Sequence, residues 1–531
     1  MPLVAGLMLG SLLAFHVSVA SAAEISAAEA VAVAGGDANV AKERRENGAL
    51  THTAAMVDGS WEVAYFAGGD EVALVVVDPD SGRIRESWTG YQVSWKMARG
   101  YSGSFGHKLN APYVFLPLCA IFLIGLLDWR RPWRLASLDL LVLLGFAVSH
   151  YFFNRAEIGV SVPLVYPVLA YLAARALWIG LTGRSGPGLR PVWRASWLFV
   201  AALFLVGLRV GLNLADSGVI DVGYAGVVGA DRIEHGESLY GSFPGDVSEG
   251  DTYGPANYLA YVPFEAIWPW SGGWDDLPAA HGAAVAFDLL TFLLLAWLGL
   301  RIRPGPGGRR LAAILAFGWA AYPYTAYALE SNSNDSLVAA LLVATLLLLA
   351  RPAARGAAIA AAAMTKFAPL VLVPMLATYR SSGRRTAIAF AGAFAAATLL
   401  LLAWPAIDPG LHTFYDRTIG YQSGRDSPFS IWGQVPSLEP LRIAILAATG
   451  ALSLLLALRP RSKAPTQVAA LGAGLLILLQ ATAQHWFYLY VVWFYPLLLV
   501  ALAPGGEAAP EASQEGPGAI PAESTPPALR S

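Results

Sequence analysis

The segment WLFVAALFLVGLRVGLNLADSGVIDVGYAGVVGADRIEHGESLYG (residues 197–241) begins as an apolar run and ends as an acidic loop. Its first eighteen residues are long enough to cross most of a ~30 Å hydrocarbon core. Asp216, Asp221, Asp231, Glu234 and Glu237 then follow in quick succession. The whole chain shares this character. Over 531 residues, 56% are hydrophobic and only 14% charged, with a mean hydropathy of +0.52, outside the range of soluble domains. The composition is that of a polytopic membrane protein. A formal net charge of −2 excludes the basic surface that a nucleic-acid partner requires. The single cysteine, Cys119, leaves neither a disulfide framework nor a thiolate metal site.

Membrane-length runs recur near 112–127, 135–152, 160–181, 195–214, 279–300, 311–328, 336–350, 386–404, 440–458, 466–482 and 486–503. Between them lie the Arg-rich connections DWRRPWR, GRSGPGLRPVWR, RIRPGPGGRR, RPAAR, RSSGRR and RPRSK, which the positive-inside rule assigns to the cytoplasm. That assignment requires GAAIAAAAMTKFAPLVLVPMLATY (356–379) to enter and leave on one side, as two short helices meeting near Lys366 and Pro369. The opposite, exoplasmic face then receives three loops: 213–278, with eleven Asp and Glu against one Arg; ALESNSND at 328–335; and 407–434. Fold class follows: an all-α membrane protein of about eleven transmembrane helices plus a re-entrant helical hairpin, with a small N-terminal exoplasmic α+β or β module.

Residues 1–22 have the apolar core and small-residue ending of a signal peptide but lack its positive start, so the segment is either a signal or an uncleaved anchor. Residues 23–110 contain no membrane-length run. In WEVAYFAGGDEVALVVVDPDSGRIRESWTG (61–90) apolar residues alternate and DPDSG joins two strand-like pieces, which predicts a β-hairpin. Asp78 and Asp80 make a DxD that a turn explains without a metal. The hairpin resembles small PepSY-type modules. Residues 504–531, rich in Pro, Ala, Glu and Ser, read as a disordered cytoplasmic tail.

Several pieces occur in a fixed order: DVGYAG then GESLYG; YGPANYLAYVPF, which holds Tyr253; NSNDSLVAALLVATLLLL; AAAMTKFAPLVLVP; RDSPFSIWG; and HWFYLYVVWFYPLLL. In that order they resemble glycosyltransferase family 87 of the GT-C superfamily, whose members use polyprenyl-phosphate sugars. The resemblance covers residues 195–503, so 191–503 reads as the GT-C-like domain and 111–190 as a three-helix N-terminal addition. It implies transfer of a hexose, mannose foremost, from a polyprenyl-phosphate donor to a glycan or glycolipid acceptor at the outer face of a bacterial plasma membrane, with membrane lipids as surroundings. No cofactor and no metal is implied. One base rather than a nucleophile pair suffices, which favours inversion.

Such a transfer needs a base for the acceptor proton and cations for the departing phosphate. The resemblance places the catalytic carboxylate at Asp221, with Asp216, nearer the membrane, in reserve; a helix cap explains either residue equally simply. Tyr224, Val227, Val228 and Ile233 predict the apolar side of a surface helix whose Asp231 and Glu234 face water. Lys366 is an expensive charge inside an apolar segment, reaching a phosphate or a carboxylate or snorkelling to the headgroups. Arg425 offers a fork suited to phosphate. His485 is placed to orient phosphate or sugar, and Asn332, Asn334, Asp335 and Glu330 either cap a helix or bind sugar hydroxyls. Asp288 needs a partner within the membrane, for which Arg209 is available. Two rival readings stand beside the enzyme: a transporter or flippase for a lipid-linked solute, and a non-catalytic glycan-binding scaffold.

Overall fold

A computed structural model describes residues 24–503, apart from residues 58, 95, 101–106, 187, 381–382 and 426. The signal or anchor at 1–22 and the tail at 504–531 lie outside the described residues. The chain forms two compact units, Met1–Gly103 and Ser104–Ser531.

The first unit is richer than the single hairpin expected. Helices Ala27–Gly35 and Ala38–Asn47 precede a four-stranded antiparallel meander, β1 (Thr51–Val57), β2 (Ser60–Ala67), β3 (Asp70–Val77) and β4 (Ile84–Thr89), in the order β1-β2-β3-β4. Ser26 starts the first helix with a capping box to Glu29. Ala30, Ala34 and Val40 from the helices close over Val63, Tyr65, Ala73, Val75 and Val77 of the sheet. A further turn lies at Gly68-Gly69, where both glycines take positive φ and reverse the chain between β2 and β3. Asp78 accepts the backbone N–H groups of Asp80 (3.0 Å) and Ser81 (2.8 Å), so the DxD serves the β3–β4 turn.

The second unit is helical. Among the described residues, six helices are long and apolar enough to cross a membrane: Leu135–Phe153, Ile158–Thr182, Ala195–Asp216, Pro278–Ile302, Arg384–Ile407 and Pro436–Leu458. Shorter apolar helices include Pro112–Leu126, Asp335–Leu347, Pro465–Ala481 and Tyr488–Leu502. Proline stands at the first turn of many of them, where its missing N–H costs nothing. Arg384–Ile407 leaves Leu399, Leu400 and Ile407 on the outside, as a lipid-facing helix must. The span expected at 311–328 is broken: Pro323 ends helix Gly305–Ala321 and begins Pro323–Glu330. Within the apolar interior Arg209 pairs with Asp288 at 2.7 Å, the partnership that the two lone charges called for, and Trp319 Nε1 donates to the same carboxylate at 2.9 Å.

Helices of the N-terminal addition are built into this unit. The Tyr322 hydroxyl donates to the Leu143 carbonyl (2.8 Å), and the Tyr488 hydroxyl meets Ser149 (2.6 Å) and Ser161 (3.0 Å).

The expected surface helix is largely internal. Helix Asp221–His235 is buried on every side from Gly223 to Ala230, and water reaches freely only its two ends, at Asp221 and at Glu234 and His235. The cause is a glycine at every third position. A Cβ at Gly223 would lie 2.2 Å from the Asn332 carbonyl oxygen, at Gly226 2.5 Å from the Tyr261 ring and at Gly229 2.1 Å from the Tyr258 ring. Helix Pro255–Glu265, which carries both rings, therefore lies directly on the helix that Asp221 begins. Gly229→Val forces Tyr258 or the helix to move and lowers stability by about 1–3 kcal/mol. Gly207→Val, a position with nothing within 4 Å, leaves the thermal midpoint in detergent unchanged. Thermal unfolding of the two variants side by side checks the difference.

Candidate active site

A buried polar turn holds the site together. Glu330 through Ser336 are each at most 2% exposed, so ALESNSND is an interior segment and not the open loop expected. Asn332 adopts a left-handed backbone (φ 48°). Its side chain accepts from Asn213 Nδ2 (2.9 Å) and donates to Ser217 Oγ and the Gly218 carbonyl (both 3.0 Å). Backbone N–H groups of Gly218 and Ile220 reach the carbonyls of Glu330 (3.4 Å) and Ser331 (3.3 Å). The strand-like stretch 217–220 is thus laid along the turn, and Asp221 emerges as the first residue of its helix.

The Asp221 side chain is accessible to solvent, yet so much protein surrounds it that desolvation is the strongest influence on its carboxyl. Desolvation raises its pKa above the usual carboxylate range, against the opposing pull of the Val222 N–H, Arg425 and Lys366, while the charge of Asp335 adds to the rise. Two cations and a second carboxylate therefore lie within electrostatic reach of Asp221.

Lys366 stands where helix Pro352–Ala363 gives way to the short 3₁₀ turn Ala368–Leu372. It does not snorkel. Only 7% exposed, its ammonium lies 2.5 Å from Asp335 Oδ1, which also accepts Trp493 Nε1 at 2.7 Å. The rings of Trp493 (5.0 Å), Tyr253 (5.4 Å) and Tyr490 (5.7 Å) surround the ammonium at cation–π distance. YGPANY explains the docking. Gly254 and Ala256 donate backbone N–H groups to the carbonyls of Thr365 (3.3 Å) and Met364 (3.0 Å), and a Cβ at Gly254 would lie 2.1 Å from the Met364 oxygen. Only glycine permits that approach. Tyr253 is thereby set against the ammonium, and Pro255 starts the next helix.

Arg425 is half-buried, with its guanidinium over the Tyr421 ring (5.8 Å), and its charge acts on Asp221, His485 and Tyr490. His485 faces Ser427 Oγ at 2.9 Å. Burial first and Arg425 second hold its imidazole well below the usual range, so it is a neutral hydrogen-bonding group. The RDSPFSIWG loop leans on the N-terminal addition, since Ile431 N–H donates to the Tyr166 hydroxyl (3.1 Å) and Gln434 Nε2 to the Ile158 carbonyl (3.1 Å).

Of the residues singled out in the sequence, Asp221, Tyr253, Asp335, Lys366, Arg425 and His485 meet in one place. Three others go elsewhere. Asp216 ends the preceding helix and pairs with Lys108 (3.4 Å), so it belongs to a local ion pair. Asn334 occupies a cap position but does not cap; its Nδ2 donates to Asn257 Oδ1 at 2.6 Å deep in the unit. Glu330 is buried with no hydrogen-bond partner on either oxygen, and burial pushes its carboxyl up to about 9. Trp493, Tyr490, Asn257 and the glycine stripe were passed over, although HWFYLYVVWFYPLLL and GYAGVVGA carry the aromatic and glycine signals. Among the described residues no three His, Cys, Asp or Glu side chains converge as a metal-ligand set.

Residues 252–503 match glycosyltransferase family 87. No curated protein matches the chain. Part of the helical unit is thus similar to glycosyltransferase family 87, in a unit with helices long and apolar enough to cross a membrane. Tyr253, Asp335, Lys366, Arg425 and His485 lie inside the matched residues, whereas Asp221 lies ahead of them.

Removing one partner of the buried Lys366–Asp335 pair strands the other. Lys366→Met lowers stability by about 3–5 kcal/mol, and Lys366→Met with Asp335→Leu recovers most of that loss. Chemical or thermal unfolding of the two variants checks the recovery.

Proposed function

We propose that this protein moves a hexose, mannose foremost, from a polyprenyl-phosphate donor to a hydroxyl of a glycan or glycolipid acceptor on the exoplasmic face of the plasma membrane. The observation that carries the reading is one solvent-reached carboxylate, Asp221, at the start of its helix and within electrostatic reach of the two cations Lys366 and Arg425. The orientation rests on the Arg-rich connections, which favour the cytoplasm for the opposite ends of the helices.

The chemistry needs little more. Asp221 takes the proton of the acceptor hydroxyl as its oxygen bonds to the anomeric carbon. The bond from that carbon to the phosphate oxygen breaks, and the phosphate leaves with the electron pair. A phosphodiester with one negative charge thereby becomes a monoester with up to two, and Lys366 and Arg425 supply positive charge where that negative charge develops. A single base favours inversion at the anomeric carbon, the nearby carboxylate of Asp335 being engaged by Lys366 and Trp493 rather than offered as a nucleophile. Asp335 holds Lys366 in place and offsets one positive charge, leaving a site suited to a singly charged donor. His485, being neutral, contributes a hydrogen bond to phosphate or sugar.

Asp221→Asn lowers kcat/KM for transfer from radiolabelled polyprenyl-phosphate mannose by roughly 10²–10⁴-fold. Activity that persists unchanged in this variant removes Asp221 from the role. The base acts only when deprotonated, and its raised pKa moves the acid limb of the pH–rate profile above the usual carboxylate range. In wild type kcat/KM therefore climbs with pH through that raised value; a limb at the ordinary aspartate position contradicts the assignment.

A further inference from the structure

We propose that the ion pair between Asp251 and Arg417 is a positioning clamp that holds Arg425 within reach of Asp221, an inference that rests on the reading of Arg425 as a donor-phosphate group. Asp251, fully buried, belongs to the same long segment as Asp221. Its two oxygens receive Arg417 Nε (2.9 and 2.7 Å) and Nη2 (2.7 Å), and Oδ2 also accepts the Gly241 N–H at 2.6 Å. Arg417 also donates to the Ser248 carbonyl and lies 3.5 Å from the exposed Glu249. A bidentate fork on a carboxylate otherwise held by backbone fixes direction as well as distance.

What the fork fixes is the approach to Arg425. Arg417 lies in a wide, π-helical turn, Asp416–Gly420, that continues into Tyr421–Gly424 and ends at Arg425. Such π turns are rare and occur mostly as single turns, frequently at functional sites. Tyr421, one turn after Arg417, carries the Arg425 guanidinium on its ring, and the charges of Arg425, Glu249, Asp221 and Arg417 all act on Tyr421. Behind the clamp the Phe414 ring packs edge-on to Tyr240 (5.1 Å), whose hydroxyl donates to the Tyr253 carbonyl at 3.0 Å. The stretch 240–253 therefore braces both cations, Lys366 through the Tyr253 ring and Arg425 through Asp251 and Arg417. Arg417 has no part in the chemistry; it acts through Arg425.

A kinetic cycle on the full-length protein, purified in detergent and assayed with polyprenyl-phosphate mannose, tests this. Arg417→Gln lowers kcat/KM for the lipid donor roughly tenfold while the acceptor KM moves by less than about twofold. In an Arg425→Gln background the same substitution costs less than about twofold, because the residue it positions is already gone. Arg417→Lys keeps the charge but not the fork, gives a smaller loss with the same pattern, and serves if Arg417→Gln does not yield a monodisperse protein. Equal losses in both backgrounds, a shift confined to the acceptor KM, or a loss on Arg417→Gln with none on Arg425→Gln overturns the clamp. The Asp221→Asn result is independent of all three, so failure of the clamp and failure of the transferase reading are distinguishable.

Discussion

Lys366 is an ammonium enclosed in a unit built from apolar helices, and the pieces of the candidate site are arranged around what it takes to keep it there. It needs a counter-charge, supplied by Asp335 at the start of one helix, and a shell that is neither water nor plain hydrocarbon, supplied by Trp493, Tyr253 and Tyr490. Asp335 can serve only because residues 330–336 are drawn inside as a polar turn. That turn in its interior position also forms the bed on which residues 217–220 lie and from which Asp221 emerges. Disturb the counter-charge and the bed of the candidate base is disturbed with it. The lysine and the aspartate are thus linked through the backbone as well as through their charges.

The same logic explains how distant segments are brought to one site. Asp221, Tyr253, Asp335, Lys366, Arg425 and His485 come from six places in the chain, and backbone contacts as well as side-chain reach bring their segments together. Gly254 docks on the Met364 carbonyl, Gly223 on the Asn332 carbonyl, and the loop of Arg425 is tied to helix Ile158–Thr182 through Tyr166 and Gln434. The N-terminal addition, which lies outside the family match, therefore supports the loop that carries one of the two cations.

How much of this was legible follows from which physical signals are local. Membrane helices announce themselves by apolar runs, and Lys366, Arg209 and Asp288 announce themselves as charges that such runs cannot tolerate alone. Their partners do not. Nothing near Lys366 in the chain points to Trp493, and Asp251 and Arg417 are 166 residues apart. The helix starting at Asp221 was misread as a surface helix because its acidic end dominates an amphipathic count. The every-third-residue glycines that bury its first turns are a packing signal, and they become readable only once Tyr258 and Tyr261 are known to lie against them. The segment at 328–335 misled in a similar way: a polar run beside a membrane helix reads as solvated, and here its polarity is spent on internal hydrogen bonds. Asp216 and Asn334 were reasonable candidates by position, but Lys108 and Asn257 occupy them.

The central claim is that Asp221, Lys366 and Arg425 face one donor. A structure of the protein with a bound, non-transferable polyprenyl-phosphate sugar analogue tests it most directly. The account predicts the phosphate between the Lys366 ammonium and the Arg425 guanidinium, with the anomeric carbon on the side of the Asp221 carboxylate. A phosphate bound away from both cations, or a sugar whose anomeric carbon is out of reach of an acceptor hydroxyl held by Asp221, contradicts it.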